Sequence, residues 1–298
     1  MASLRQIRRS LRSIQSTKQI MRAMQLVSGS KFKRAQSRLV QSRHTLEFLD
    51  GLLQRILATT PDLTHPLAAR HDAAPSALII VTSDAGLAGS YNTNLIQLAE
   101  AELRRDAARQ TQVGFIGKRG HRYFTKRGWQ AHDAYLGLAG RPDLAKIDAI
   151  GKVFLDRFLA GEIGSVRLLY AKFVSPTVSK PTVKQWLPIT LSRQQTADSR
   201  QHKAKKGQYI EYPVEYIFEP TPKRVFEELL PRWTMATFRL VLLEAFTSEH
   251  GARMIAMKNA TDNAQELLTS LTRQRNKIRQ ASITKEISEI VGTAEALK

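Results

Sequence analysis

The chain of 298 residues has no cysteine. Disulfides, thiolate metal sites and cysteine nucleophiles are therefore excluded, and the composition fits a reducing compartment. No stretch approaches the roughly 20 consecutive apolar residues that cross a bilayer. The opening MASLRQIRRSLRSIQ lacks the apolar stretch of a secretory signal, and is expected to be part of the mature structure. Acidic residues are missing locally: residues 1–43 carry eleven Lys/Arg and no Asp or Glu. Proline is missing from both ends. None precedes Pro61, and between Lys223 and Val291 Pro231 stands alone.

The formal net charge is +20. Such a balance points to an anionic partner, whether nucleic acid, membrane surface or acidic protein, and composition does not choose among them. Its distribution is uneven, because residues 221–298 hold twelve basic against nine acidic side chains. A second acid-free run extends from Arg273 to Lys285.

Alternate steps of three and four from Leu4 reach Ile56 through sixteen positions, twelve of them apolar. A 3.5-residue repeat of this length calls for a left-handed supercoil with a partner helix. At ~1.5 Å per residue the helix would be about 80 Å long, with a stripe it cannot bury alone. The C-terminal segment offers the partner, with a heptad run Met257, Ala260, Ala264, Leu267, Leu271, Gln274, Ile278, Ala281. Ala252, Ala256, Ala260 and Ala264 would permit close approach, and the phase then shifts to Ile283, Ile287 and Ile290. Pro231 is expected to kink this helix or divide it from a short leading one. A chain that leaves along one helix and returns along the other makes the pair antiparallel. The longer C-terminal member should then overhang, exposing isoleucines that need a surrounding collar.

Between the ends the pattern alternates. Strands are expected at 76–84, 112–117, 165–173, 182–189 and 214–220, with helices at 94–109, 118–127 and 144–159. The fold class is α/β: long terminal helices forming an antiparallel left-handed coiled coil, and a central Rossmann-like domain with a mostly parallel sheet and no nucleotide site. The divisions are 1–58, 76–220 and 221–298. Residues 192–208, polar and basic, read as a loop.

GFIGKRG (114–120) lacks the spacing of a phosphate-binding loop and the Ser/Thr after its lysine, and reads as a turn into a basic helix. SDAGLAGSYNTN (83–94) lies where a dinucleotide site would, but its glycines, Gly86 and Gly89, do not make GxGxxG. The seven histidines have no paired metal spacing, and neither HExxH nor GxSxG occurs. Glu249, His250 and Arg253 share one helix, where a solvated or interfacial face outweighs catalysis. The basic residues of the first helix, Arg5, Arg8, Arg9 and Arg12 among them, wrap around it. A zipper that reads DNA instead segregates them from its seam.

Three segments carry a resemblance. ASLRQIRRSLRSIQSTKQIMRAMQLVSGSKFKRAQ (2–36), SDAGLAGSYNTN, and SEHGARMIAMKNATDNAQEL (248–267) with RQASITKEISEIV (279–291) resemble, in order, the signatures of gamma subunits of F-type ATP synthases. YIFEPTPKRVFEELLPR is similar to the family's return into its long helix. The resemblance implies a central rotor shaft without catalytic residues, cofactor or metal. Its terminal helices would pass through a catalytic hexamer of alpha and beta subunits, and its α/β domain would meet epsilon and a membrane c ring. It implies no nucleic-acid partner and no membrane insertion, and a peripheral place on the cytoplasmic face of the inner (plasma) membrane. Residue by residue, it assigns Met24, Arg253, Gln280 and Thr284 to hexamer contact, and Glu215, Tyr216 and Phe218 to epsilon and the c ring. Departures include Arg273, Gln274 and Arg275 at usually apolar or aromatic positions, and Gly29 for a helix-favouring alanine, worth about 1 kcal/mol. A basic coiled coil binding nucleic acid is the competing reading.

Overall fold

The computed structural model describes residues 4–60, 63–71, 73–106, 111–138, 140, 143–190 and 218–296. In order these are α1 (Leu4–Thr59), a 3-10 turn (Pro66–Ala68), β1 (Ser76–Val81), α2 (Tyr91–Arg105), β2 (Gln112–Ile116), α3 (Lys118–Thr125), β3 (Asp133–Tyr135), α4 (Leu144–Leu159), β4 (Ser165–Phe173), β5 (Ser179–Leu187) and α5 (Pro222–Ala296). Two compact units result, one of residues 1–30 with 253–298, the other of 31–252.

In the larger unit the sheet order is β3-β2-β1-β4-β5. β1 runs parallel to β2 and β4, β2 parallel to β3, and β5 closes the edge antiparallel to β4. Period-two alternation divides the core. Ala77, Ile79 and Val81 of β1, with Val166, Leu168 and Tyr170 of β4, face α4, α5 and the end of α1, where Leu53 and Ile56 are buried. Leu78, Ile80, Leu169 and Ala171 face the other way, onto α2 and α3. α5 is thus a core helix of this domain as well as a long terminal one, with Phe226, Leu230, Phe238 and Leu242 fully buried.

The division expected at Pro231 is absent: α5 is one helix from Pro222 to Ala296. Its start is orthodox, with Pro222 first in the helix and the Thr221 hydroxyl accepting from the Arg224 N–H at 3.3 Å. Pro231 has no N–H for the Glu227 carbonyl, four residues back. His65 stands beside that carbonyl's residue. Its Nδ1 accepts from the Leu67 N–H at 3.0 Å, leaving Nε2–H on the side of the Glu227 backbone. Burial lowers the His65 pKa, opposed by the Glu227 charge and backbone.

The strand expected at 214–220 is not seen where it is described. Phe218 packs on the core outside any strand, and residues 219–220 form a bend; 214–217, and the whole basic loop 192–208, lie outside the described residues.

In the smaller unit the Lys18 ammonium donates to Gln265, and Met254 lies 3.4 Å from where a Cβ on Gly29 would stand. The helices are therefore antiparallel, and an alanine at position 29 would meet only ordinary contact. The α1 repeat is correct throughout: each of its sixteen positions is buried or half-buried. On α5 the sequence phase needs correction. Met257, Ala264, Leu271 and Ile278 turn inward as expected, but Leu267 and Gln274 are exposed. Thr261, Leu268 and Arg275 fill the intervening seam positions. Continuing the register puts Leu4 opposite Arg279, so α5 beyond that point has no described part of α1 to pair with. From Gln280 to Thr293 every residue is exposed.

Candidate functional site

Helix α3 opens at the GFIGKRG segment, and the free amides of a helix N-terminus are a ready anion site. Those amides are already engaged. Gly117 N–H donates to the Tyr135 carbonyl (3.1 Å) and Lys118 N–H to Asp84 Oδ1 (3.0 Å). Arg119 N–H donates to the Ser83 carbonyl (3.0 Å) and Gly120 N–H to Thr82 Oγ1 (2.9 Å). The Asp84 carboxylate also accepts from the Gly137 N–H at 3.1 Å, so it takes the place of an external anion. Asn92 Oδ1 accepts from the Ser83 N–H and hydroxyl, fixing the SDAGLAGSYNTN turn to α2.

The second candidate crevice lies outside the carboxyl ends of β1 and β4, where the strand order reverses. Here α5 covers it. Ser248 Oγ donates to the Ala171 carbonyl at 3.0 Å, and Tyr91 OH to the Ala245 carbonyl at 3.1 Å. The Pro176 carbonyl of the β4–β5 turn comes within 3.0 Å of a notional Cβ on Gly251, which only glycine accommodates without displacement. Glu249 and His250, expected on a solvated or interfacial face, are buried within the chain, and His250 Nε2 is 2.9 Å from the Gly140 carbonyl. Among the described residues no group of three His, Cys, Asp or Glu could hold a metal, and no helix is long and apolar enough to cross a membrane.

The residues assigned to partner contact fall into distinct settings. Met24 is half-buried, and Ile20 and Val27, 60% and 55% exposed, continue its stripe on α1 at helical spacing. Sequence reasoning missed both, although an i, i+4, i+7 set beside the heptad seam was the available signal. Gln280 and Thr284 are exposed on α5, the Thr284 hydroxyl donating to the Gln280 carbonyl at 2.9 Å. Ile283, Ile287 and Ile290 form a second exposed apolar stripe beside them. Arg253, by contrast, is only 7% exposed in the chain alone. Phe218 packs on the domain core, while Glu215 and Tyr216 lie outside the described residues.

A polar cluster the sequence did not announce joins α1, α5 and the sheet. Glu244 on α5 is 5% exposed and accepts from Arg43 Nη2 on α1 at 2.7 Å. The Tyr170 hydroxyl on β4 stands beside it, with a pKa raised by burial first and then by the Glu244 charge. About two helix turns from Arg43 along α1 and three from Glu244 along α5, Trp233 Nε1 donates to Asp50, and burial raises the pKa of that carboxyl despite the bond. Lys184 on β5 is exposed by area, yet crowding lowers its pKa against the pull of Glu244 and then Asp50. Nearby, Arg239 on α5 and Asp148 on α4 form a two-pronged pair, one prong at 2.7 Å.

A Rossmann-like sheet domain together with long antiparallel terminal helices defines the class of fold, and the comparisons give its family. A family model described as ATP synthase matches residues 3–297. The ATP synthase gamma chain of Symbiobacterium thermophilum is 37% identical over 294 residues, covering 98% of this chain and 97% of its own. That of Moorella thermoacetica is 36% identical over the full length of both chains. This chain belongs to the ATP synthase gamma-chain family. Among solved structures it is similar in fold to a chain of the Euglena gracilis mitochondrial ATP synthase (OSCP/F1/c-ring), with TM-score 0.65, 18% identity, 99% of this chain and 94% of that one. A chain from the Tetrahymena thermophila central stalk/c-ring structure gives TM-score 0.58 at 19% identity, covering 81% of this chain and 99% of that one.

Proposed function

We propose that this chain is the turning central shaft of an F-type ATP synthase. It would couple ion-driven rotation of a membrane c ring to conformational cycling of a catalytic alpha/beta hexamer, working peripherally at the cytoplasmic face of the inner (plasma) membrane. The observation that carries this reading is the end of α5. Fourteen residues, Gln280 to Thr293, continue as exposed helix past the reach of α1, with Ile283, Ile287 and Ile290 in one stripe. Such a stripe is costly in water and economical inside a protein collar. Gln280 and Thr284 would meet that collar beside it, as would Met24 through the Ile20–Val27 stripe, and Arg253 through its immediate surroundings. Phe218, with Glu215 and Tyr216, would serve contact with epsilon and the c ring. The divisions 1–58, 76–220 and 221–298 then separate parts that pair, parts that receive rotation and parts that deliver it. The nucleic-acid reading is set aside, because the family match spans the whole chain and α1 uses its seam for α5.

The test is reconstitution. Mixed with alpha and beta subunits, the chain should co-purify with them and raise steady-state ATP hydrolysis several-fold over the hexamer alone. A chain that neither co-purifies nor changes the rate would remove the proposal.

A further inference from the structure

A rotor part must do more than stay folded: its domain and its helices must not slip past one another under load. Apolar packing holds surfaces together but is non-directional, so it resists separation better than sliding. Directional bonds between charged or polar groups resist sliding, because a shift of an ångström or two breaks them. The larger unit places several such bonds along α5. Trp186 Nε1 of β5 donates to the Thr234 carbonyl at 2.9 Å, Arg239 pairs with Asp148 of α4, and Ser248 bonds to β4. Each of these ties α5 to one element of the domain. Glu244 brings together three, its carboxylate receiving Arg43 from α1 with the Tyr170 hydroxyl of β4 beside it.

Stability alone is a poor reason for such an arrangement. A buried ion pair recovers little more than its desolvation cost, and apolar replacements of similar size are often neutral or better. What it supplies is a single register between the elements it joins. From this geometry we infer that Glu244, with Arg43 and Tyr170, is a joint that locks the sheet domain to both long helices, so that rotation imposed on the domain reaches the helix pair without slip. The inference rests on the shaft reading proposed above and assigns these residues a positioning role in it.

The experiment uses the whole complex, with alpha, beta, epsilon and the c ring, in sealed vesicles. ATP hydrolysis and ATP-driven ion pumping are measured on the same preparation for the natural chain, Glu244→Gln and Tyr170→Phe. Glu244→Gln keeps the shape of the side chain and removes its charge; Tyr170→Phe removes the sheet's hydroxyl from beside the carboxylate and leaves the Arg43 pair intact. The expected result is hydrolysis within about twofold of the natural complex, with ions pumped per ATP falling threefold or more in Glu244→Gln and less in Tyr170→Phe. Pumping and hydrolysis that keep their natural ratio in both variants overturn the joint, and so does a parallel loss of both. If Glu244→Gln fails to assemble, Tyr170→Phe decides: an assembled Tyr170→Phe complex with the natural ratio reduces the cluster to a folding element. A natural chain that does not assemble with the hexamer defeats the shaft reading first, which separates the two failures.

Discussion

Gly117→Ala is expected to lower the thermal midpoint of the isolated chain by on the order of 10 °C. Gly117 ends β2 and opens α3 with φ at +102°, and a Cβ there would stand 2.1 Å from the Thr82 carbonyl oxygen. Two costs add. The conformation itself costs a non-glycine residue about 1–3 kcal/mol. Forcing a methyl against main chain that is already bonded costs about 1–3 kcal/mol more. Thr82 cannot retreat cheaply, since its N–H donates to the Ile116 carbonyl at 2.8 Å and its hydroxyl accepts from Gly120. Gly128 provides the control, with φ at +84° and nothing within 4 Å of the added carbon. Gly128→Ala should therefore show the conformational cost alone, about 1 kcal/mol. Thermal melts of the two variants side by side check the claim; equal shifts would mean that Thr82 does not close this turn.

Phe238→Ala should cost roughly 3–5 kcal/mol in urea unfolding, at an unchanged dependence on denaturant. Phe238 is fully buried on α5, its ring 4.7 Å from that of Trp186 on β5. It also sits against Gly151 of α4, where a Cβ would come within 2.9 Å of its ring. The side chain thus fills the space where α4, α5 and the sheet meet. Phe238→Leu, which leaves part of the volume filled, should cost about half as much. A cost below about 1 kcal/mol for the alanine variant would show that α5 leans on the domain without belonging to its core.

Much of this was legible in the residues. The α1 seam could be read position by position, because a strict 3.5 repeat survives interruption by Lys18, Gln25, Ser28 and Ser42, with the other twelve positions apolar. On α5 the same reading lost phase. Ala260 and Thr261, or Leu267 and Leu268, are adjacent pairs of similar character, and only packing decides which member turns inward. β3 escaped notice because Asp133–Tyr135 is three residues without an apolar run, held by pairing with β2. The fate of Pro231 was hidden for another reason. The Glu227 carbonyl that it leaves without a donor has His65 beside it, far away along the chain, and local sequence carries no trace of that contact.

The site divided in the same way. The wrong spacing of GFIGKRG excluded a phosphate loop, but the physical reason, four amides taken by residues 82–84 and Tyr135, became visible only in three dimensions. Glu244, set in VLLEAF, gave no sign of being a junction, since a lone glutamate among apolar residues reads equally well as a helix face pointing outward. Its burial and its two partners come from elements about 75 and 200 residues away, and only the fold brings them together.

The central claim is that this chain turns, and rotation can be watched. With no natural cysteine, Lys126→Cys on the exposed end of α3 gives one attachment point on the domain for a bead. The alpha/beta hexamer holding this chain is fixed to a surface by its other side and given ATP. The account predicts stepwise rotation of the bead in one direction, stopping when ATP is removed. A complex that hydrolyses ATP while the bead stays still, or merely fluctuates without direction, would contradict it.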